Sequence, residues 1–224
     1  MERLFFILFI LAPIQVNILF GQFDSENSFL RDNEIVAARR GSPKIDYDRI
    51  AGSPYYSDGF VNSILSLLNG DSALLPLRYD LFQDEIEFKK DDKIYWLYKK
   101  DIKTIIYENE VLVVSAVNED TSKLGYFFLE NPGKYALYVK KSVAYKPYTP
   151  PKPYGDPVPE RFEKVADVFY LKKEDMPALS FRTKKALSGI LIDNKAALDY
   201  IKNEKIKVDD PDDLQKLFNF LNRQ

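Results

Sequence analysis

Three carboxylates in one short stretch, Asp84, Glu85 and Glu87, could do acid–base chemistry. Hydrolysis of a glycosidic bond needs two carboxyl groups at a defined separation across that bond. On a β-strand, Glu85 and Glu87 would share one face, with Ile86 and Phe88 on the other. The same alternation is typical of a strand with one face in solvent, so we interpret these acids as structural.

Four aspartates near the C-terminus could bind calcium, because hard cations take oxygen ligands. These residues are Asp209, Asp210, Asp212 and Asp213. They lack the alternating ligand spacing and the distant glutamate of an EF-hand loop. Asp210 precedes Pro211, and acids follow in the first turn, which is typical of a helix N-terminus. We therefore predict a helix cap and no metal.

The sequence contains no histidine and no cysteine. This excludes Ser-His-Asp and Cys-His catalysis, zinc sites of the usual kind, and disulfides. Two serine–lysine pairs, Ser180 with Lys184 and Ser142 with Lys146, do not have the three-residue spacing of the penicillin-recognising enzymes. We predict no catalytic residue, no metal and no cofactor.

The charges are nearly balanced, with 32 basic and 34 acidic residues and a net charge of −2. Such a chain has no overall field that would attract nucleic acid. Several lysine doublets are interpreted as polar ends of strands. They are Lys89-Lys90, Lys99-Lys100, Lys140-Lys141, Lys172-Lys173 and Lys184-Lys185.

The N-terminus has the layout of a cleavable secretory signal peptide. Arg3 precedes the apolar run Leu4–Leu11, and Pro13 and two amides interrupt the apolar residues that follow. A membrane-spanning helix needs roughly 20 predominantly apolar residues, so this segment is a poor span. Gly21 supplies a small residue for cleavage near Gly21 or Gln22. The alternative is an uncleaved anchor.

From about residue 60, short β-branched and aromatic runs are separated by turn residues. The turns at Asn69–Asp71 and Asn131–Gly133 predict hairpins. Val111–Val117 and Leu124–Leu129 are apolar on both alternating faces, which predicts cover on both sides. We predict an α+β fold. It comprises an antiparallel β-meander, barrel-like or two-layer, followed by a proline-rich connector and a small C-terminal helical lobe.

The stretch from residue 147 to 159 holds six of the 13 prolines. Proline at this density favours extended backbone and indicates a semi-rigid connector. The alternative is a docking site for a partner with an aromatic groove.

Beyond the connector, helical spacing appears. Leu214, Leu217, Phe218 and Leu221 form an apolar stripe at i, i+3, i+4 and i+7. We therefore expect a helix that packs on the sheet.

The strand aromatics are expected to be core, or else a platform for a sugar ring or a peptide side chain. They are Tyr95, Trp96, Tyr126, Phe127, Phe128, Tyr135 and Tyr138.

These patterns divide the chain into five segments. They are a signal peptide (1–22), a flexible leader (23–50), an antiparallel β-domain (51–145), the proline-rich connector (146–160), and a strand pair with a helical lobe (161–224).

Several motifs together resemble an uncharacterised family of exported cell-envelope proteins from Bacteroidota. They are Gly52–Tyr55, Pro76–Asp80, Asp84–Phe88, the proline connector, and Tyr170–Lys173 before the helical tail. The resemblance spans roughly residue 50 to the end and implies no activity or site residue. It implies a periplasmic or surface location in a Gram-negative bacterium.

We therefore expect an exported, non-enzymatic envelope protein with a binding or assembly role. Its expected partner is an envelope protein or a glycan, and it should have no stable membrane anchor after signal cleavage. The alternative is a carboxylate-dependent hydrolase of envelope glycans.

Overall fold

Eleven antiparallel strands form one sheet in the computed structural model, which describes residues 36–39, 45–90, 93–118, 120–151, 153 and 156–224. The spatial order is β1-β5-β4-β3-β2-β6-β7-β8-β9-β10-β11. The strands are β1 (Val36–Arg39), β2 (Val61–Leu67), β3 (Ser72–Asp80), β4 (Glu85–Lys90), β5 (Lys93–Leu97), β6 (Ile102–Tyr107), β7 (Glu110–Val117), β8 (Asp120–Asn131), β9 (Tyr135–Lys146), β10 (Arg161–Lys173) and β11 (Leu179–Phe181).

Tight turns connect most sequential neighbours, as the sequence predicted. Gly70 joins β2 to β3 with φ of 98°, and Gly133 joins β8 to β9 with φ of 147°. Both values lie in the region that glycine adopts without steric cost. The predicted meander is therefore confirmed, and the sheet stays open instead of closing into a barrel.

One face of the sheet encloses the main apolar core. This core draws side chains from strands β2 to β10 and includes the buried residues Leu65, Leu75, Leu77, Tyr79, Ile86, Phe88, Ile105, Tyr107, Leu112, Tyr126, Phe128 and Phe162. Side chains from strands that are far apart in the sheet order share this core, so the sheet curls around it.

The opposite face carries a smaller apolar cluster at β7, β8 and β10. Val113, Phe127 and Tyr170 are buried there together with Ala178. Phe127 therefore points away from its neighbours Tyr126 and Phe128, which lie in the main core. This confirms that the central strands are covered on both sides.

The sheet continues across the proline-rich stretch, because β10 pairs with β9 along most of its length. Beyond the strand ends, Thr149 and Val158 exchange two backbone hydrogen bonds, of 2.9 and 3.0 Å. The described residues between 147 and 159 are exposed. The connector therefore extends the β9–β10 hairpin outward.

Three short helices form the C-terminal lobe: α1 (Lys184–Ile190), α2 (Lys195–Asn203) and α3 (Pro211–Leu221). A side chain caps the N-terminus of each helix. Thr183 accepts from the Ala186 amide, Asn194 from the Ala197 amide, and Asp210 from the amides of the first turn of α3.

The stripe Leu214, Leu217, Phe218 and Leu221 is buried, as predicted. It packs in one cluster with Leu137, Leu171 and Phe181 of the sheet. The lobe is therefore built on β9, β10 and β11.

Parts of the predicted leader belong to the fold. β1 pairs with β5 at the sheet edge, and Tyr47–Arg49 form a single 3-10 turn. The predicted signal peptide lies outside the described residues. Among the described residues, no helix has the length and apolarity needed to span a membrane.

Leu217→Ala should lower the stability of the isolated protein, because it opens a cavity in the lobe core. Truncation of a buried leucine costs about 2–5 kcal/mol, against a total stability of about 5–15 kcal/mol. Lys216→Ala, at an exposed neighbour, removes only a surface ion pair with Asp213 and should leave the unfolding midpoint almost unchanged. Chemical denaturation measures both. Equal midpoints for the two variants would contradict the packing described above.

Candidate functional site

The carboxylates singled out in the sequence each lie in an ion pair. Asp84 contacts Lys140, and Glu85 contacts Lys99 at 2.6 Å. Glu87 receives two hydrogen bonds from Arg78, of 3.1 and 2.7 Å. Each of the three carboxylates is thus held by a cation, and burial raises the pKa of Glu85 while Lys99 lowers it.

Lys140 is the centre of a cluster that we call the lysine–tyrosine cluster (Tyr79, Asp84, Tyr126 and Lys140). Its ammonium donates to the Asp84 carboxylate and to the Tyr126 carbonyl at 2.7 Å, and lies 3.5 Å from the Tyr79 hydroxyl. The Tyr79 hydroxyl donates to the same carboxylate at 2.7 Å. An ammonium has three donors, and three protein acceptors surround this one.

Burial dominates the electrostatics of this cluster. Desolvation lowers the pKa of Lys140, an effect that the adjacent Asp84 carboxylate opposes. Burial also raises the pKa of Tyr79 and of Tyr126 well above 10.0, and the Asp84 charge adds to both shifts. Both hydroxyls therefore stay protonated at neutral pH. The contacts of the cluster join β8, β9 and the β3–β4 turn, which indicates a structural role.

The ion pair between Asp84 and Lys140 lies close against Gly125 on β8, where a side chain would crowd it. A Cβ at position 125 would lie 3.3 Å from Lys140 Nζ, 3.3 Å from Asp84 Oδ2 and 3.1 Å from a Val117 methyl. A glycine inside a strand often marks a close approach of this kind.

The Arg78–Glu87 pair fastens the segment before β2 onto the sheet. The Arg78 guanidinium lies 3.8 Å from the centre of the Tyr55 ring and donates to the Asp58 carbonyl at 3.2 Å. Glu87 is fully buried under this cover. Glu85 and Glu87 do lie on the face opposite Ile86 and Phe88, but that face is not open to solvent at Glu87.

The C-terminal aspartates act as predicted in helix capping. Asp210 accepts from the amides of Asp212, at 3.0 Å, and Asp213, at 3.4 Å. Within the described part of the chain, no group of three or more acidic side chains is arranged to hold a metal ion.

Most of the strand aromatics are structural. Tyr126, Phe127 and Phe128 are buried in the two sheet cores, and Tyr138 packs against Phe127. Tyr135 is half-buried and lines a pocket described below.

A small cavity, which we call the lobe cleft, lies where the helical lobe meets the inner face of the sheet. Its volume is about 120 Å³. It is lined by Glu130, Leu137, Val139, Lys141, Asp167, Phe169, Pro211 and Gln215.

Three charges meet at the lobe cleft. The Lys141 ammonium lies 4.4 Å from the centre of the Phe128 ring and 5.3 Å from that of Tyr56. Burial raises the pKa of Glu130, and the charges of Glu110 and Asp167 raise it further while Lys141 lowers it. The cleft is thus an acidic site with one cation.

No motif in the sequence predicts the lobe cleft. Glu130 and Asp167 are 37 positions apart and show no motif spacing. The doublet Lys140-Lys141 was interpreted as the end of a strand, which is wrong, since it lies inside β9 (Tyr135–Lys146). Alternation on a strand sends these two lysines to opposite faces, one to the lysine–tyrosine cluster and the other to the cleft.

A larger pocket, the tail pocket, lies between the β10–β11 turn and the α1–α2 loop. Its volume is about 340 Å³. It is lined by Tyr135, Leu171, Lys173, Met176, Pro177, Leu179, Ile190, Leu191, Asp193, Asn194, Lys195 and Gln224. Apolar side chains and charged side chains both contribute to it.

No known protein family, curated protein or solved structure matches this chain.

Glu130→Gln should change how stability depends on pH. A carboxyl whose pKa is raised on folding contributes most at low pH, and its contribution falls as pH rises from about 4.5 through the raised pKa. The glutamine variant should therefore be more stable than the parent at pH 7 to 8, with no such gain at pH 4. The exposed Glu204→Gln is the matched control and should give parallel curves. A parent that gains stability over the variant as pH rises would contradict the assignment.

Proposed function

We propose that the chain is an exported, non-enzymatic protein of the cell envelope with a binding or assembly role. The export proposal is supported by the layout from Arg3 to Gly21, which lies outside the described residues. The binding proposal is supported above all by the tail pocket.

The tail pocket has the size and lining of a recognition site. A volume of about 340 Å³ falls in the range of roughly 300–1,000 Å³ typical of ligand pockets. Leu171, Leu179 and Ile190 supply apolar surface. Among the charged lining residues, Lys173 and Lys195 outnumber Asp193, which leaves a net positive charge. This combination suits an apolar side chain with an acidic neighbour, as in a segment of a partner protein.

Met176 makes the pocket adaptable. Its side chain is 51% exposed and lines the pocket. Methionine is unbranched and polarisable, so it can repack against ligands of different shape.

The acids identified in the sequence support a structural role more than a catalytic one. The carboxylates of Asp84, Glu85 and Glu87 are each held by a cation. A general acid or base must reach the proton that it transfers. These groups are engaged with the fold instead.

The second candidate function is a carboxylate-dependent hydrolase of envelope glycans, and the lobe cleft favours it. Glu130 has a raised pKa, as a general acid requires, and Asp167 lines the same cavity. The cavity of about 120 Å³ lies well below the range of roughly 300–1,000 Å³ typical of ligand pockets. Hydrolysis of an envelope glycan that is lost in Glu130→Gln would favour this function over binding alone.

A photo-crosslinking amino acid at Met176 tests the binding proposal. In cells that produce the protein, we expect a discrete crosslinked product in the envelope fraction. The same amino acid at Leu68, which is 66% exposed at the β2–β3 hairpin, is the matched control. Leu179→Arg should abolish the crosslinked product at position 176, because the long charged arginine side chain would occupy the tail pocket. Equal products from positions 176 and 68, or no product from 176, would contradict the proposal.

A further inference from the structure

A third cavity, an open groove, lies between helices α2 and α3. Its volume is about 260 Å³, and it is lined by Tyr200 of α2 and by Lys216, Asn219, Phe220 and Arg223 of α3 and its C-terminal end. It shares no lining residue with the tail pocket.

The groove is formed by a second stripe on α3. Positions 216, 219, 220 and 223 follow one another at i, i+3, i+4 and i+7, as the core positions 214, 217, 218 and 221 do. The two stripes differ by two positions, which is about 200° around a helix of 3.6 residues per turn. The second stripe therefore faces away from the lobe core.

Two stacked aromatic rings form one wall of the groove. The ring centres of Tyr200 and Phe220 are 4.1 Å apart and their planes differ by 15°. Both rings are only half-buried. The outer face of a half-buried aromatic pair is a flat apolar surface on which a further ring can stack.

The polar lining of the groove is positively charged. Lys216 and Arg223 are exposed, and none of the five lining residues is acidic. Lys216 also donates to Asp213 at 3.1 Å, so Arg223 carries most of the uncompensated charge. Arginine is suited to bidentate recognition of a carboxylate.

Asn219 adds a neutral polar group at the edge of the groove, on the side of the cations away from Phe220. Its Oδ1 accepts a hydrogen bond from Asn131 at 2.9 Å, which fixes the orientation of the amide. The Nδ2 end is then directed away from Asn131 and can donate to a hydroxyl.

We propose that this groove binds the ring of an acidic sugar, with uronate residues as the ligand class. The apolar face of the pyranose ring packs on the outer face of one ring of the stacked Tyr200–Phe220 pair, its carboxylate pairs with Arg223, and a hydroxyl accepts from Asn219. A nucleotide also combines a flat ring with negative charge, so AMP is a competing ligand in the test below. An acidic peptide is disfavoured because aspartate and glutamate have no flat face to stack.

Titration of the full protein with tri-galacturonate, followed by NMR shifts of the lobe or by calorimetry, tests this proposal. We expect saturable binding that weakens with added salt, and at least tenfold weaker binding of maltotriose, a neutral sugar of equal length. Arg223→Gln should weaken tri-galacturonate binding at least fivefold. Lys202→Gln, at an exposed lysine of α2 outside the groove, should leave it unchanged.

Phe220→Ala tests the aromatic wall and should also weaken binding at least fivefold. Because Phe220 is half-buried, unfolding of the variant is measured in parallel, and Tyr200→Phe serves as a milder change that should retain binding. Absence of binding, equal affinity for maltotriose, or equal affinity for a tri-aspartate peptide or AMP would each overturn the proposal. The inference does not depend on the partner of the tail pocket, so a failed crosslink at Met176 leaves it standing.

Discussion

The rest of the structure depends on the curl of the sheet, and the ion pair between Asp84 and Lys140 fastens this curl while the main apolar core fills it. Asp84 lies in the β3–β4 turn and Lys140 on β9, and four strands separate β3 from β9 in the sheet order. A flat sheet would hold these groups far apart, since neighbouring strands are about 4.8 Å apart. Their contact requires a strongly curved sheet. Tyr79 shares the carboxylate, and the Tyr126 carbonyl shares the ammonium, so strands β3, β8 and β9 converge at one point.

The curvature of the sheet determines which surfaces of the protein are left open for binding. The inner face is filled by the main core, and the segment from Tyr55 to Phe60 covers part of the outer face through Arg78. The long strands β9 and β10 extend past the core and carry the helical lobe on Leu137 and Leu171. The open pockets at this end of the molecule lie where three short helices pack on strands β9, β10 and β11.

Local signals in the sequence predicted most elements of the fold, but not β1, which lies in the predicted leader, nor the full length of β9. The turns at Asn69–Asp71 and Asn131–Gly133 predicted the two hairpins. The apolar stripe from Leu214 to Leu221 predicted the last helix. Each of these signals lies within a few residues of the chain. The Asp84–Lys140 contact joins groups 56 positions apart, and no local pattern encodes it. A glycine at position 125 inside an apolar strand was the one available sign of a close approach. The lobe cleft and the α2–α3 groove depend on the packing of separate elements, which periodicity does not specify.

A double-mutant cycle on Asp84→Asn and Lys140→Met measures the central claim directly. Each single change leaves a partner unpaired and should cost about 1.5–3 kcal/mol of unfolding free energy. The double variant should lose less than the sum, with a coupling of at least about 1 kcal/mol, within the range typical of contacting charged groups. The exposed pair Lys134–Glu174, at 3.6 Å, provides the control and should show coupling near zero. Coupling at Asp84–Lys140 as small as that of the control would contradict the claim that this pair holds the curl of the sheet.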